Sequence, residues 1–137
     1  MSKISLYPVR VEFGDCDPAG IVFFTTYSRW MDAATHHFFQ HCGVPPWHEI
    51  TELPGCVGGP LLETSTHFHK STTYGQKLEI HTRVTEWRGK VFRVEHRIWR
   101  GSELVCEGKE LRALCVKRED GSLKAVNIPE FIQLMCS

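Results

Sequence analysis

The sequence predicts an α+β domain in which a curved antiparallel β-sheet packs against one long helix. Three observations lead there. A single stripe of large apolar residues at helical spacing occurs early in the chain, between positions 27 and 38. From about residue 61 onward the chain becomes a succession of segments rich in Val, Ile, Thr, Phe and Trp. Brief turn signals separate them, and connections that short make consecutive strands antiparallel neighbours.

At the N-terminus, Val9, Val11 and Phe13 alternate with Arg10 and Glu12, the period of a half-buried strand. The helix follows: Tyr27, Trp30, Met31, Ala34 and Phe38 recur at i, i+3, i+4, i+7 and i+11, a core-facing stripe. Thr25 or Thr26 is the expected N-cap, and Gly43 with Pro45 and Pro46 is a strong stop. Strands are expected over 62–70, 76–87, 91–99, 103–117 and 122–126, with turns at Thr73-Tyr74-Gly75, Arg88-Gly89-Lys90, Arg100-Gly101 and Asp120-Gly121. NIPEFIQLM reads as a terminal helical turn, with Asn127 as cap and Pro129 in its first turn. One open sheet leaves an unpaired edge strand, so pairing of sheets between subunits is expected.

Composition narrows the function. A chain of 137 residues fits one domain, 1–137, with one core. Sixteen basic and 16 acidic residues balance, giving no electrostatic footprint for nucleic acid or an anionic membrane. No apolar run approaches the roughly 20 residues of a membrane span, and MSKISLYPVR lacks a signal-peptide core, so a cytoplasmic location is expected. The six cysteines contain no C-x-x-C pair and read as free, mostly buried thiols. His67 and His69 share a strand face, and His37 and His41 lie at i, i+4, but no H-E-x-x-H or nearby carboxylate accompanies them. No metal is expected. No G-x-S-x-G nucleophile motif occurs.

The most informative stretch is EFGDCDPAGIVFFTTYSRWMDAA, residues 12–34. A carboxylate beside apolar sequence is costly unless paired or solvated, yet Asp15 and Asp17 both stand just before the aromatic helix. Pro18 biases Asp17 toward extended backbone, and Gly20 supplies turn freedom. Two readings of Asp17 stay open on these grounds. It caps the turn through its own side chain, or it is held at a helix start for chemistry, where free backbone N–H groups and the positive end of the dipole stabilise negative charge. Asp15 reads as a brace for the loop or the partner of a basic group.

FGDCDPAGIVFFTTYSRWMDAA, then CGVPPW, then EWRGK closely resemble the 4-hydroxybenzoyl-CoA thioesterases of the hot-dog fold, nearly end to end. The resemblance implies a hot-dog domain hydrolysing an aromatic acyl-CoA such as 4-hydroxybenzoyl- or benzoyl-CoA, with no cofactor beyond the coenzyme A of the substrate. It implies that Asp17 acts as nucleophile or as a base for water. The backbone N–H of Phe24, at a position that often carries Tyr, would polarise the carbonyl. Asp32 and the Trp47 indole N–H would receive a polar ring substituent, with Gly59 giving close backbone approach. That position is commonly Thr in relatives, which leaves the substituent open between hydroxyl and hydrogen. Arg88 and Lys90 at the hairpin tip, with Lys124, would meet the phosphates of coenzyme A. A homodimer or homotetramer with sites at subunit interfaces is expected. Another branch of hot-dog thioesterases carries a catalytic Glu in the helix, and this chain has no Glu between Phe24 and Cys42. The alternatives are a short-chain aliphatic acyl-CoA thioesterase and a non-catalytic acyl-CoA-binding protein.

Overall fold

In the computed structural model, which describes residues 2–137, helix α1 (Phe24–His41) runs for 18 residues across a five-stranded antiparallel sheet. Tyr27, Trp30, Met31, Ala34 and Phe38 are all buried, as their spacing predicts. The helix ends where Gly43 takes φ +84°, a conformation that disfavours residues with a Cβ. Its start differs from expectation. The N-cap is Phe23, with no side-chain cap, and Thr25 and Thr26 lie inside the first turn. The Thr26 hydroxyl instead reaches the carbonyl of Asp15 at 3.3 Å, so a folded-back loop sets the start rather than a local cap.

The main sheet contains β1 (Ser5–Arg10), β3 (Leu61–Phe68), β4 (Lys77–Arg88), β5 (Val91–Arg100) and β6 (Glu103–Ala113), in the order β1-β4-β5-β6-β3. The tight turns at Gly89 and Gly101 give the β4–β5 and β5–β6 hairpins as predicted. Strands β3 and β4 are not neighbours: β3 pairs with β6 at one edge, and β4 pairs with β1. Residues 69–76 cross beneath the helix start instead of turning back. There the Thr72 carbonyl accepts Val22 N–H at 2.9 Å, and Thr73 Oγ1 donates to the Gly20 carbonyl at 2.6 Å.

Three further expectations are corrected. Phe13 is not a strand residue; it opens a 3-10 turn (Phe13–Asp15) and is exposed, because the Asp15 carboxylate accepts Glu12 N–H and bends the chain after Val11. The segment 103–117 breaks at Leu114, whose amide donates to the Lys90 carbonyl. Beyond the break, β7 (Cys115–Lys117) joins β2 (Cys56–Gly58) and β8 (Leu123–Ala125) in a separate three-stranded sheet. Helix α2 (Glu130–Met135) begins with Pro129 at the N-cap; Asn127 does not cap it.

Two apolar clusters hold α1 to the sheet. Around its first half, Tyr27, Trp30, Met31 and Ala34 pack on Leu78, Ile80, Ile98 and Cys106. Around its second half, Phe38 and Phe39 pack on Val84, Phe92, Val94, Leu114 and Ile132. A tight contact in the first cluster is Gly108 under Met31: a Cβ at position 108 would overlap the Met31 thioether. Gly108→Ala is therefore expected to lower unfolding stability by about 1–3 kcal/mol through overpacking. Combining it with Met31→Val should recover part of that loss, seen in urea unfolding as a favourable coupling on the order of 1 kcal/mol.

Candidate active site

The loop ahead of α1 doubles back on itself. Asp17 N–H donates to Ile21 O at 2.9 Å, Cys16 forms an isolated bridge with Val22, and Phe23 N–H donates to Asp15 O at 2.9 Å. The Asp15 carboxylate anchors this hairpin, accepting Arg29 at 2.7 Å and Glu12 N–H at 2.8 Å. It thus braces the loop and meets a basic group. Asp17 is half-buried. Its Oδ1 accepts Ala19 N–H at 2.9 Å, an Asx turn, while no described residue bonds Oδ2. Asp17 stands opposite Ile21, two residues from the rung where Phe23 leads into the helix, which is roughly 7 Å at strand rise.

The first turn of α1 carries no acidic side chain and no side-chain cap. Among the described residues nothing accepts from the Phe24 or Thr25 amides. Those donors, at the positive end of an 18-residue helix dipole, are open to an anionic or polarised oxygen. The side chains of Ile21, Phe23 and Phe24, adjacent in sequence, are exposed.

A second set of candidate residues lies further along the same helix. Asp32 Oδ1 accepts Arg112 Nη2 at 2.8 Å, and Arg112 Nη1 donates to the Gly59 carbonyl at 2.8 Å. The Trp47 indole lies over the adjoining glycine, where a Cβ on Gly58 would come within 2.8 Å of Nε1. A Cβ on Gly59 would meet Phe92 Cζ at 2.8 Å, so this close approach requires glycine unless Phe92 shifts. Between these groups is a slot, too tight to admit a water molecule, lined by Thr35, His36, Phe39, Trp47, Gly59, Phe92 and Arg112. It opens beside a cavity of about 440 Å³ between Phe39, Pro46, Trp47 and Val57.

Behind the slot is a buried polar network. Arg112 makes a two-pronged ion pair with Glu110, Nε–Oε1 and Nη2–Oε2 both at 3.0 Å. Glu110 also accepts the Thr35 hydroxyl at 2.6 Å and meets His96 Nε2 at 3.1 Å, while His96 Nδ1 bonds Thr82 at 2.8 Å. Burial alone would push the Glu110 carboxyl up, but His96 and Arg112 outweigh it and hold the group down at about 2. Arg112 is pushed above its ordinary value despite burial, because Glu110 and Asp32 favour its charged form.

Of the candidate coenzyme A residues, Arg88 and Lys90 flank the β4–β5 tip, and Lys124 lies on β8 of the three-stranded sheet. The β4–β5 tip is tied down by Ile128 N–H to Gly89 O and Leu114 N–H to Lys90 O, both 2.9 Å. Arg88 is exposed and ion-paired with Glu86, whereas Lys90 and the exposed Lys124 on β8 meet no carboxylate among the described residues. The fold thus unites Asp32, Trp47 and Gly59, and sets Arg88 and Lys90 on one tip. It does not join Asp17 and Phe24 to Asp32 within one protomer. Phe24 and Asp32 are about 12 Å apart along the helix axis at 1.5 Å per residue, and Asp17 lines neither the slot nor the cavity beside Trp47.

Other titratable groups are engaged elsewhere. His69 bonds Glu107 at 2.9 Å, and His37 stacks with His41. No cluster of three metal-ligating side chains occurs among the described residues. Five of the six cysteines are buried, and burial pushes the Cys106 thiol up to about 12, which leaves it unreactive.

A model of the thioesterase-like superfamily matches residues 11–134. The chain belongs to the thioesterase-like superfamily. A curated member, the 4-hydroxybenzoyl-CoA thioesterase of Pseudomonas sp. (strain CBS-3), is 40% identical over 135 residues, covering 93% of this chain and 94% of that protein. Among solved structures, an aspartate-to-asparagine mutant of 4-hydroxybenzoyl CoA thioesterase complexed with 4-hydroxybenzoyl CoA superposes with a TM-score of 0.92 at 34% identity, over 98% of this chain and 99% of that one. A gentisyl-coenzyme A thioesterase superposes with a TM-score of 0.81 at 30% identity, over 96% and 98%. The architecture is the hot-dog fold of this thioesterase superfamily, a long helix wrapped by an antiparallel sheet.

Sequence reasoning did not single out Glu110, Arg112 or His96. A signal was present in β6, where alternation puts Cys106, Gly108, Glu110 and Arg112 on one face. A face that holds Cys and Gly points inward, so its two charges point inward as well. Because folding lowers the Glu110 carboxyl from its ordinary 4.5 to about 2, the stability it contributes is complete above pH 4.5 and is lost as pH falls toward 2. The urea midpoint should therefore drop steeply between pH 4.5 and 2. Glu110→Gln should flatten that drop while costing about 3–5 kcal/mol at pH 7, because it leaves Arg112 buried without its charge partner.

Proposed function

We propose that this chain is an acyl-CoA thioesterase that hydrolyses an aromatic acyl-CoA, 4-hydroxybenzoyl-CoA or a close relative, to the free acid and coenzyme A. One observation carries the reading: the open Phe24 and Thr25 amides of α1 follow directly on a short hairpin whose Asp17-Pro18-Ala19-Gly20 turn holds a half-buried aspartate, roughly 7 Å away at strand rise. Support comes also from the relatives, which are named for aromatic acyl-CoA hydrolysis, one of them caught with its substrate as an aspartate-to-asparagine mutant.

In this reading the thioester carbonyl oxygen accepts the Phe24 N–H at the helix start. Charge growing on that oxygen is stabilised by donors already in place, so no reorganisation is needed. The Asp17 carboxylate then acts in one of two ways. As nucleophile, an oxygen bonds the carbonyl carbon, the C–S bond breaks, coenzyme A leaves as a thiolate, and water cleaves the resulting anhydride. As base, Asp17 takes a proton from the water that attacks the same carbon. Either way the leaving thiolate takes up a proton as free coenzyme A. Asp32, Trp47 and Gly59 receive the ring, and Arg88, Lys90 and Lys124 meet the nucleotide phosphates.

The same reading makes the active unit an oligomer. Strand β3 is an edge strand, paired with β6 on one side only. Leu61, Leu62 and Phe68 along it are exposed, as are Phe23 and Phe24. A second copy pairing along that edge covers these side chains and encloses the helix start.

The test is thiol release from 4-hydroxybenzoyl-CoA. Steady turnover by the native protein, reduced at least about a thousandfold in kcat by Asp17→Asn with KM little changed, is the predicted outcome. Turnover within tenfold of native in that variant rejects Asp17 as the reacting group. Faster turnover of butyryl- or hexanoyl-CoA than of every aromatic thioester rejects the aromatic substrate.

A further inference from the structure

We propose that Arg112 is the positioning residue of the acyl pocket, and that it selects a ring bearing a hydroxyl by fixing Asp32 as a hydrogen-bond acceptor; this rests on the ring-binding role proposed above for Asp32, Trp47 and Gly59. The argument begins from how many groups share one guanidinium. Its Nη2 holds Asp32 Oδ1 at 2.8 Å, its Nη1 holds the Gly59 carbonyl at 2.8 Å, and its remaining edge is clamped by Glu110. Two separate segments of the pocket, helix α1 and the loop before β3, are thus set by a single planar group.

That group cannot drift. Arg112 is only 4% exposed, and Glu110 behind it is also 4% exposed. Glu110 is fixed in turn by Thr35 on α1 and His96 on β5. By contrast the Asp32 side chain is half exposed, 50%, and its remaining oxygen has no hydrogen-bond partner among the described residues; His36, a turn further on, stands at 4.0 Å from Oδ1. Asp32 therefore presents one committed and one open oxygen next to Arg112 and His36, two of the residues that line the slot. An ionised carboxylate accepts hydrogen bonds and donates none, so it favours a ring hydroxyl, disfavours a ring carboxylate, and contributes nothing specific to an unsubstituted ring. A hydrogen bond to a charged group is worth about tenfold or more in discrimination. Lysine would keep the charge at position 112 but not the fork that reaches three partners.

The experiment compares kcat/KM for 4-hydroxybenzoyl-CoA against benzoyl-CoA in the native protein, in Arg112→Lys, in Asp32→Asn and in the double variant. We expect the ratio to fall about tenfold in each single variant and no further in the double, because Arg112 acts through Asp32. A ratio kept in Arg112→Lys but lost in Asp32→Asn overturns the role of Arg112. A ratio kept in Asp32→Asn overturns Asp32 as the acceptor, and the selection with it. Independent falls that add in the double variant show a general loosening of the pocket and also overturn it. Absence of thiol release from either substrate by the native protein defeats the proposed activity itself, and this inference falls with it. Should Arg112→Lys fail to fold, NMR of the native protein decides. The Arg112 Nε–H resonance should move on binding a non-hydrolysable thioether of coenzyme A bearing a 4-hydroxyphenyl group, and not on binding the phenyl counterpart. An equal response to both overturns the proposal.

Discussion

The rotational setting of α1 against the sheet is fixed by one buried polar network, and the site depends on it. Apolar packing alone lets a helix slide or rotate by small amounts at modest cost. The bonds from Thr35 and Asp32 to Glu110 and Arg112 do not, because an error of an ångström would strand a buried charge. The network lies between the two apolar clusters that grip the helix. It fixes the middle of α1, and a helix fixed at its middle has both ends placed.

At the front end, the consequence is an open first turn. Most helices satisfy their first amides with a Ser, Thr, Asp or Asn cap. Here the cap position is Phe23, and the loop is held instead by Asp15 through Arg29 and the Phe23 amide. Asp15 performs the structural work and so leaves Asp17 and the helix amides available. At the middle of the helix, the same network orients Asp32 and the Gly59 carbonyl about 12 Å away along the axis. That separation, with the exposed β3 edge and the exposed aromatic side chains at the helix start, is why the proposed reaction calls for a second subunit to complete the enclosure.

Much of this was legible in the sequence, and the reasons are physical. The helix stripe from Tyr27 to Phe38 and the tight turns at Gly89 and Gly101 are local signals, and each appears as read. The D-P-A-G-I-V block and CGVPPW carried the family resemblance, and superfamily membership and the hot-dog architecture agree with it. The errors cluster where tertiary contacts override local preference. Thr25 and Thr26 lost the cap because Thr26 is engaged by Asp15. Phe13 left its strand because Asp15 bent the chain. Strands β3 and β4 are separated because residues 69–76 bond to the helix-start loop, a pairing between positions some 50 apart in sequence, as between Thr73 and Gly20. The Glu110–Arg112 pair carries no motif, and only the alternation of β6 places both residues inward.

The central claim is that the first turn of α1 polarises a thioester carbonyl. The most direct measurement is the vibrational frequency of a carbon-13-labelled 4-hydroxybenzoyl thioester carbonyl bound to the Asp17→Asn protein, compared with the same thioester in water. Hydrogen bonding from the Phe24 amide predicts a stretch shifted to lower frequency than in water. A fully bound complex whose carbonyl absorbs at or above its frequency in water would contradict the account.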